Sequence, residues 1–289
     1  MNWMYRTCAK IWVFISGFCC TDLIDVDADY SEYLGPDYKD KYDKDIKATS
    51  TIICNHVTQH DSMIITQFLN NSFACDISFK TMPLMGPLAR MVDAIFVPRG
   101  GSEEARQQII DIITERQTTI EETAKFSPLI IFPEGGTTNG RYLLKFKRGA
   151  FLAQKRIQPL ILKYTVTGSF SPAYDIIELL PLFILELSWS CLKCKILRLP
   201  EIYVTDYMVE KAREQGKEPW EAYSDMAYEV MCKYGELTPS DISLREKMHF
   251  EGYMQMNPRN PTPYMEENER LKAERDKAKA EKEASKKGH

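Results

Sequence analysis

Thr51-Ile52-Ile53-Cys54-Asn55-His56-Val57-Thr58-Gln59-His60-Asp61-Ser62-Met63-Ile64-Ile65 decides the fold. Its first four residues read as a short buried strand, the polar residues after Cys54 as a turn, and Ser62 to Asn70 as a helix. Working outward, the same alternation recurs. Strands are expected at Ile77–Lys80, Ala94–Val97, Leu129–Phe132, Leu160–Val166 and Ile202–Val204, with a Pro- and Gly-bounded helix around Leu84–Val92. In Gly100-Gly101-Ser102-Glu103-Glu104 the serine suits a cap and two acids occupy a first turn, so a helix starts there and runs past Ile109, Ile112 and Ile113. Upstream, Ile24-Asp25-Val26-Asp27-Ala28-Asp29 alternates strictly and is expected as a half-buried strand. Strands interleaved with helices give the class: α/β, with a mostly parallel central sheet flanked by helices.

Composition narrows the function. A chain of 289 residues with 44% hydrophobic and 27% charged residues has ample material for a core and is neither disordered nor a multi-span membrane protein. A net charge of −4 argues against a nucleic-acid binder. The eight cysteines are too sparse for a disulfide scaffold and suit a reducing compartment. No run reaches the roughly 18 apolar residues of a spanning helix. The longest candidates are Ile11–Cys20 and Ile176–Leu192, the second interrupted by Glu178, Pro181 and Glu186. Residues 1–21 set Trp3, Tyr5, Trp12, Phe14 and Phe18 beside Arg6 and Lys10, a mixture suited to the bilayer interface. Cys19-Cys20-Thr21-Asp22 is no signal-peptide cleavage site, and Cys19 and Cys20 read as two buried thiols or as a palmitoylation site. Met265–His289 is charged throughout and suits a solvated helical tail. The expected organisation is a membrane-associating segment at 1–21, one α/β domain at 22–250, and a linker with charged tail at 251–289.

His56 and Asp61 are the first chemical pair. Residues five apart on one unbroken helix point about 140° away from each other, so the two meet only if a turn intervenes and Asp61 opens the following helix. A carboxylate beside an imidazole holds one tautomer and steadies the imidazolium when the other nitrogen takes a proton. His56 then suits a general base. A turn with a simple cap, and a metal site using His56 and His60, are the alternatives. With four histidines in the chain, the others being His249 and His289, a zinc site lacks ligands, and no metal is expected. Cys191-Leu192-Lys193-Cys194 is a single CxxC without a second pair. The aspartates at 25, 27 and 29 open a calcium-like loop, but Tyr30 and Pro36 occupy the positions needing Gly and Glu.

The second constellation is Phe132-Pro133-Glu134-Gly135-Gly136-Thr137-Thr138-Asn139-Gly140, where glycines admit close backbone approach to a ligand. Arg141, Lys145, Lys147 and Arg148 follow, a positive patch that suits an anion such as phosphate, with Arg99 as a further contact. No GxxxxGK[ST] or GxGxxG fingerprint appears.

In order, NHVTQHD (55–61), FVPR (96–99), FPEGGTTNG (132–140) and QPLILKY (158–164) resemble the four blocks of the glycerolipid acyltransferases. YLLKFKRGAF and TPSDISLREKMHF are similar to the lysophosphatidylcholine and lysophosphatidylethanolamine acyltransferases among them. The resemblance spans roughly residues 10–250. It implies transfer of an acyl chain from acyl-CoA, a co-substrate rather than a cofactor, to the free hydroxyl of a lysophospholipid, without metal or covalent intermediate. It makes His56 the base and Asp61 its orienter. It gives Arg99, Glu134 and Gly135, with Gly136 and Thr137, to the acceptor's glycerophosphate region, and the block around Pro159 to the acyl-CoA side. Two positions depart from the family: Gly136 stands where a threonine is usual, leaving Thr137 to substitute, and Asp93 stands where a glycine precedes the second block. The resemblance also implies attachment to a membrane surface. With Lys286 and Lys287 read as a dilysine signal, the expected place is the cytosolic face of the endoplasmic reticulum. Lysophosphatidic acid or glycerol 3-phosphate as acceptor, an inactive lipid-binding relative, and a metal-dependent hydrolase are the competing readings.

Overall fold

The computed structural model describes residues 3–39, 46–81, 85–97, 103–166, 171–173, 177, 179–188 and 191–256, with 266, 269, 270, 273 and 277. The chain divides into two compact units, 1–241 and 242–289. In the first, α1 (Trp3–Ile15) leads into β1 (Phe18–Asp25), the short α2 (Ser31–Leu34), β2 (Thr51–Cys54), α3 (Asp61–Thr66) and β3 (Ser72–Asp76). Then follow α4 (Met85–Met91), β4 (Ile95–Val97), α5 (Glu103–Thr123), β5 (Leu129–Ile131), β6 (Tyr142–Leu143), β7 (Ile157–Val166) and α6 (Leu179–Ser188). The unit closes with β8 (Leu192–Arg198), α7 (Asp206–Glu214), α8 (Pro219–Gly235) and β9 (Thr238–Pro239). The second unit contains α9 (Leu244–Met256).

Seven strands form one sheet in the order β1-β8-β7-β2-β5-β3-β4. Every neighbouring pair is parallel except β7 and β8, so the sheet is mostly parallel, as expected. β2 is central and all four of its residues are buried, as a strand covered on both faces must be. Its side chains alternate between two cores. Ile52 and Cys54 join Val13, Ile64 and Ile65 on the side of α1 and α3, whereas Ile53 joins Phe151, Ile161, Tyr223 and Val230 on the side of α8. α8 is fixed at its start by Pro219 and a reciprocal capping box between Glu218 and Glu221.

Several expected elements move. The early strand is Phe18–Asp25 rather than Ile24–Asp29, because it pairs with β8 and leaves the sheet after Asp25. The expected boundary at residue 21 therefore cuts a strand, and that at 250 falls inside α9. Cys19 and Cys20 are exposed, not buried, and Cys19 Sγ lies 2.8 Å from Cys191 Sγ. Ile77–Lys80 is a single 3-10 turn with Ile77 exposed; the strand is the preceding Ser72–Asp76, which pairs with both β4 and β5. Ile202–Val204 contributes only one bridge, Ile157 to Ile202, because β8 already occupies that edge of β7. β8 itself has the period-two burial of a strand, hidden in the sequence behind the apolar run before it. Arg99, Ser102, Lys286 and Lys287 lie outside the described residues. Among the described residues, no helix is long and apolar enough to cross a membrane.

Candidate active site

β2 ends at Cys54, and the chain turns over the carboxyl end of the strand before α3 begins at Asp61. Such an edge is where open α/β sheets place their chemistry. Asn55 anchors the turn's root: its side chain donates to Leu162 O (3.1 Å) and accepts from Leu162 N (2.7 Å), stitching the end of β2 to β7. The intervening turn is what brings His56 and Asp61 together. His56 Nδ1 lies 2.8 Å from Asp61 Oδ2, which also accepts from Val57 N (2.7 Å) and Thr58 N (3.2 Å). Asp61 is fully buried, while the His56 side chain keeps 24% of its surface exposed. The proton on Nδ1 is thereby held toward Asp61, leaving the Nε2 lone pair free, with no hydrogen bond to a described residue. Stacking on Phe132 at 4.0 Å fixes the plane of the ring.

Tyr164 completes the support, and the sequence reading missed it. Its phenol donates to Asp61 Oδ1. Burial, followed by the charge of Asp61, pushes the phenol far above its ordinary pKa, so it stays a donor. Tyr164 lies in the fourth block, near the end of the strand that also carries Pro159. Pro159 itself is buried in β7, paired with Ile53 of β2.

The Glu134 loop is locked to the His56 loop through the main chain. The Glu134 carboxylate is fully buried and accepts from His56 N and Leu144 N, each at 2.9 Å. Thr138 N donates to His56 O at 2.7 Å, and the Thr138 hydroxyl donates to the same oxygen at 3.3 Å. The structure thus places the Glu134 carboxylate on peptide groups of both loops and the Thr138 hydroxyl against His56, while Thr137 and Gly136 are half-buried in the same loop. Gly135 adopts φ +76, and a Cβ there would collide with Lys147 Nζ at 2.3 Å, so glycine is required for the lysine to lie across the turn. Burial, with a smaller contribution from Arg106, holds the Lys147 ammonium below the usual lysine range. Of the neighbouring cations, Lys145 pairs with Asp241 at 3.4 Å, and Arg148 reaches Gln107 at 3.5 Å.

Asp93 takes φ +53, so the left-handed turn that a glycine supplies is kept. His60 does not join His56 as a metal ligand, because its two ring nitrogens are engaged by Trp12 and Glu186. Among the described residues, no group of three His, Cys, Asp or Glu side chains is placed to hold a metal.

Residues 37–164 match the family model described as Acyltransferase, and the resemblance read from the four blocks is borne out. A lysophospholipid acyltransferase of Arabidopsis thaliana, LPEAT1, is 28% identical over 71% of this chain and 50% of its own length. A lysophosphatidylcholine acyltransferase of Drosophila melanogaster is 26% identical over 69% of this chain and 36% of its own. The chain thus spans half or less of the length of these curated relatives. The crystal structure of the 1-acyl-sn-glycerophosphate acyltransferase PlsC from Thermotoga maritima is similar with TM-score 0.48 and 16% identity, covering 81% of this chain and 77% of that one.

Proposed function

We propose that the chain transfers an acyl group from acyl-CoA to the free hydroxyl of a lysophospholipid of the phosphatidylcholine or phosphatidylethanolamine type, at a membrane surface and without a cofactor. The observation that carries this reading is His56, pinned through Nδ1 by buried Asp61, with Nε2 open beside the Glu134–Gly136 turn. The acceptor hydroxyl gives its proton to His56 Nε2 as its oxygen attacks the thioester carbonyl. Asp61 stabilises the imidazolium. The tetrahedral intermediate collapses, the carbon–sulfur bond breaks, and the thiolate of CoA takes the proton from Nε2. A thioester is already activated, so deprotonating the alcohol is the main task. Lys147 supplies a cation for a phosphate, and Arg99 is assigned the same role by resemblance.

Exposed apolar side chains support the membrane. α1 buries Tyr5, Ala9 and Val13 and leaves Trp3 (76% exposed), Ile11, Phe14 (75%) and Ile15 outside; α6 leaves Ile184 and Leu185 outside. α1 exposes Lys10 and carries no acid, which suits lipid phosphates.

The test is release of free CoA from oleoyl-CoA across a panel of lysophospholipids, lysophosphatidic acid and glycerol 3-phosphate, beside His56→Ala. Acceptor-dependent release that falls about 10²- to 10⁴-fold in the variant supports the reading and names the head group. No release with any acceptor, from folded protein, favours a lipid-binding relative without activity. Trp3→Ser with Phe14→Ser should lose sedimentation with phosphatidylcholine vesicles; undiminished sedimentation would remove α1 from the membrane surface.

A further inference from the structure

His60 lies between the catalytic turn and α3 and is fully buried. Its ring is held from opposite sides. Trp12 Nε1, on α1, lies 3.1 Å from Nδ1, and Glu186 Oε2, on α6, lies 2.8 Å from Nε2. An indole nitrogen only donates. Nδ1 must therefore present its lone pair, and the ring proton sits on Nε2, where it is given to Glu186. Gln59 Nε2 donates to the same carboxylate at 3.2 and 3.4 Å, so the buried acid is met by two adjacent residues of the turn. Phe18 packs edge-on against the ring at 5.7 Å, and Trp12 lies tilted to it at 6.2 Å. Both nitrogens and both neighbours fix one orientation of this imidazole.

The consequence falls on Asp61. His60 immediately precedes it, and the His60 carbonyl accepts from Ile64 N at 2.9 Å, closing the first turn of α3. The two ring contacts anchor the residue whose peptide leads directly into Asp61, and the Asp61 carboxylate is what holds His56. α1 grips the far end of α3 as well. Arg6 donates to Gln67 O at 3.1 and 2.8 Å and to Phe68 O at 2.8 Å, carbonyls that a helix end leaves without intrahelical partners. α1 and α6, both with exposed apolar side chains, are therefore fastened to the support of the base.

We infer that His60 is a positioning residue: it couples α1 and α6 to the His56–Asp61 pair, so that breaking either link lowers turnover without weakening acceptor binding. The kinetic part rests on the acyltransferase reading; the coupling itself does not.

The experiment uses the full chain with oleoyl-CoA and with lysophosphatidylcholine or lysophosphatidylethanolamine carried in phosphatidylcholine vesicles. Trp12→Phe keeps an aromatic ring and removes only the N–H; Glu186→Gln keeps an acceptor; His60→Leu removes both links. In Trp12→Phe, kcat should fall about tenfold, as misplacement of a catalytic group demands, with KM and vesicle sedimentation unchanged. The Trp12→Phe/His60→Leu double variant should be no slower than His60→Leu, because both cut one linkage. Multiplying losses, a kcat for Trp12→Phe within about twofold of the parent, or a loss confined to KM would overturn the proposal. If His60→Leu does not fold, Trp12→Phe and Glu186→Gln carry the test. An ¹⁵N-indole NMR spectrum separates the two ideas: the Trp12 signal, assigned by its loss in Trp12→Phe, should shift in Glu186→Gln. A parent that releases no CoA but shows that shift sinks the acyltransferase reading and keeps the coupling; an unmoved signal sinks the coupling.

Discussion

Tyr164 and His56 approach Asp61 from opposite oxygens: the phenol donates to Oδ1, and the imidazole meets Oδ2. The carboxylate is thus held from the neighbouring strand while it orients His56. Replacing Tyr164 by Phe leaves Oδ1 buried with one donor fewer. A hydrogen bond to a charged group contributes about 1.5–3 kcal/mol, so Tyr164→Phe should lower the thermal midpoint and reduce kcat with little change in KM. An unchanged melting curve would mean that the phenol adds nothing to Asp61.

Asp61→Asn should be milder here than where an amide forces the wrong tautomer. The Asn oxygen can stay on Val57 N, Thr58 N and His56, while its NH₂ faces Tyr164, whose hydroxyl turns to accept. The tautomer survives and only the charge is lost. We expect a fall in kcat of about 10²-fold. A fall of about 10⁴-fold would show that the amide had turned over.

Glu134→Gln tests whether that residue joins loops or touches acceptor. A Gln has one acceptor oxygen, so either His56 N or Leu144 N loses its partner and faces an NH₂. Leaving one buried donor unpaired costs about 1–3 kcal/mol. The expected result is lower stability, faster amide exchange at His56 or Leu144, and lower kcat. A rise in KM alone would return Glu134 to the acceptor.

Lys147 gives a pH signature. Its pKa is lowered by burial and by Arg106, so its charge is lost earlier as pH rises than that of an ordinary lysine. Anion binding through it should weaken on the alkaline side. Lys147→Arg keeps the charge and should move the rise in KM to higher pH, read between about pH 7 and 10. Superimposable profiles would place the phosphate elsewhere.

At Asp93 the backbone is left-handed, a conformation that is strained for a residue with a side chain. Asp93→Gly should stabilise the fold by up to about 1 kcal/mol. A lower melting point would show that the Asp93 side chain compensates for the strain.

The central strand, its turn and the following helix were legible because each is a local pattern: a short buried run, a polar turn, and helical spacing. The His56–Asp61 pairing was legible for the same reason, since five residues and one turn bring them together. β8 was not. Its alternation follows directly on the apolar α6, and nothing local says that the chain reverses beside β7. Glu134 was seen, but its partners are main-chain amides, which every residue carries and no sequence marks. Tyr164 and Asp61 stand 103 residues apart, and His60 and Glu186 stand 126 apart. The sequence by itself determined the sheet class, the turn after the central strand and the pairing of His56 with Asp61, because these follow from neighbours along the chain. Only the tertiary structure decided what holds His56 in place, because burying Asp61, Glu134 and His60 requires hydrogen-bond partners that the sheet and helices bring in from distant segments.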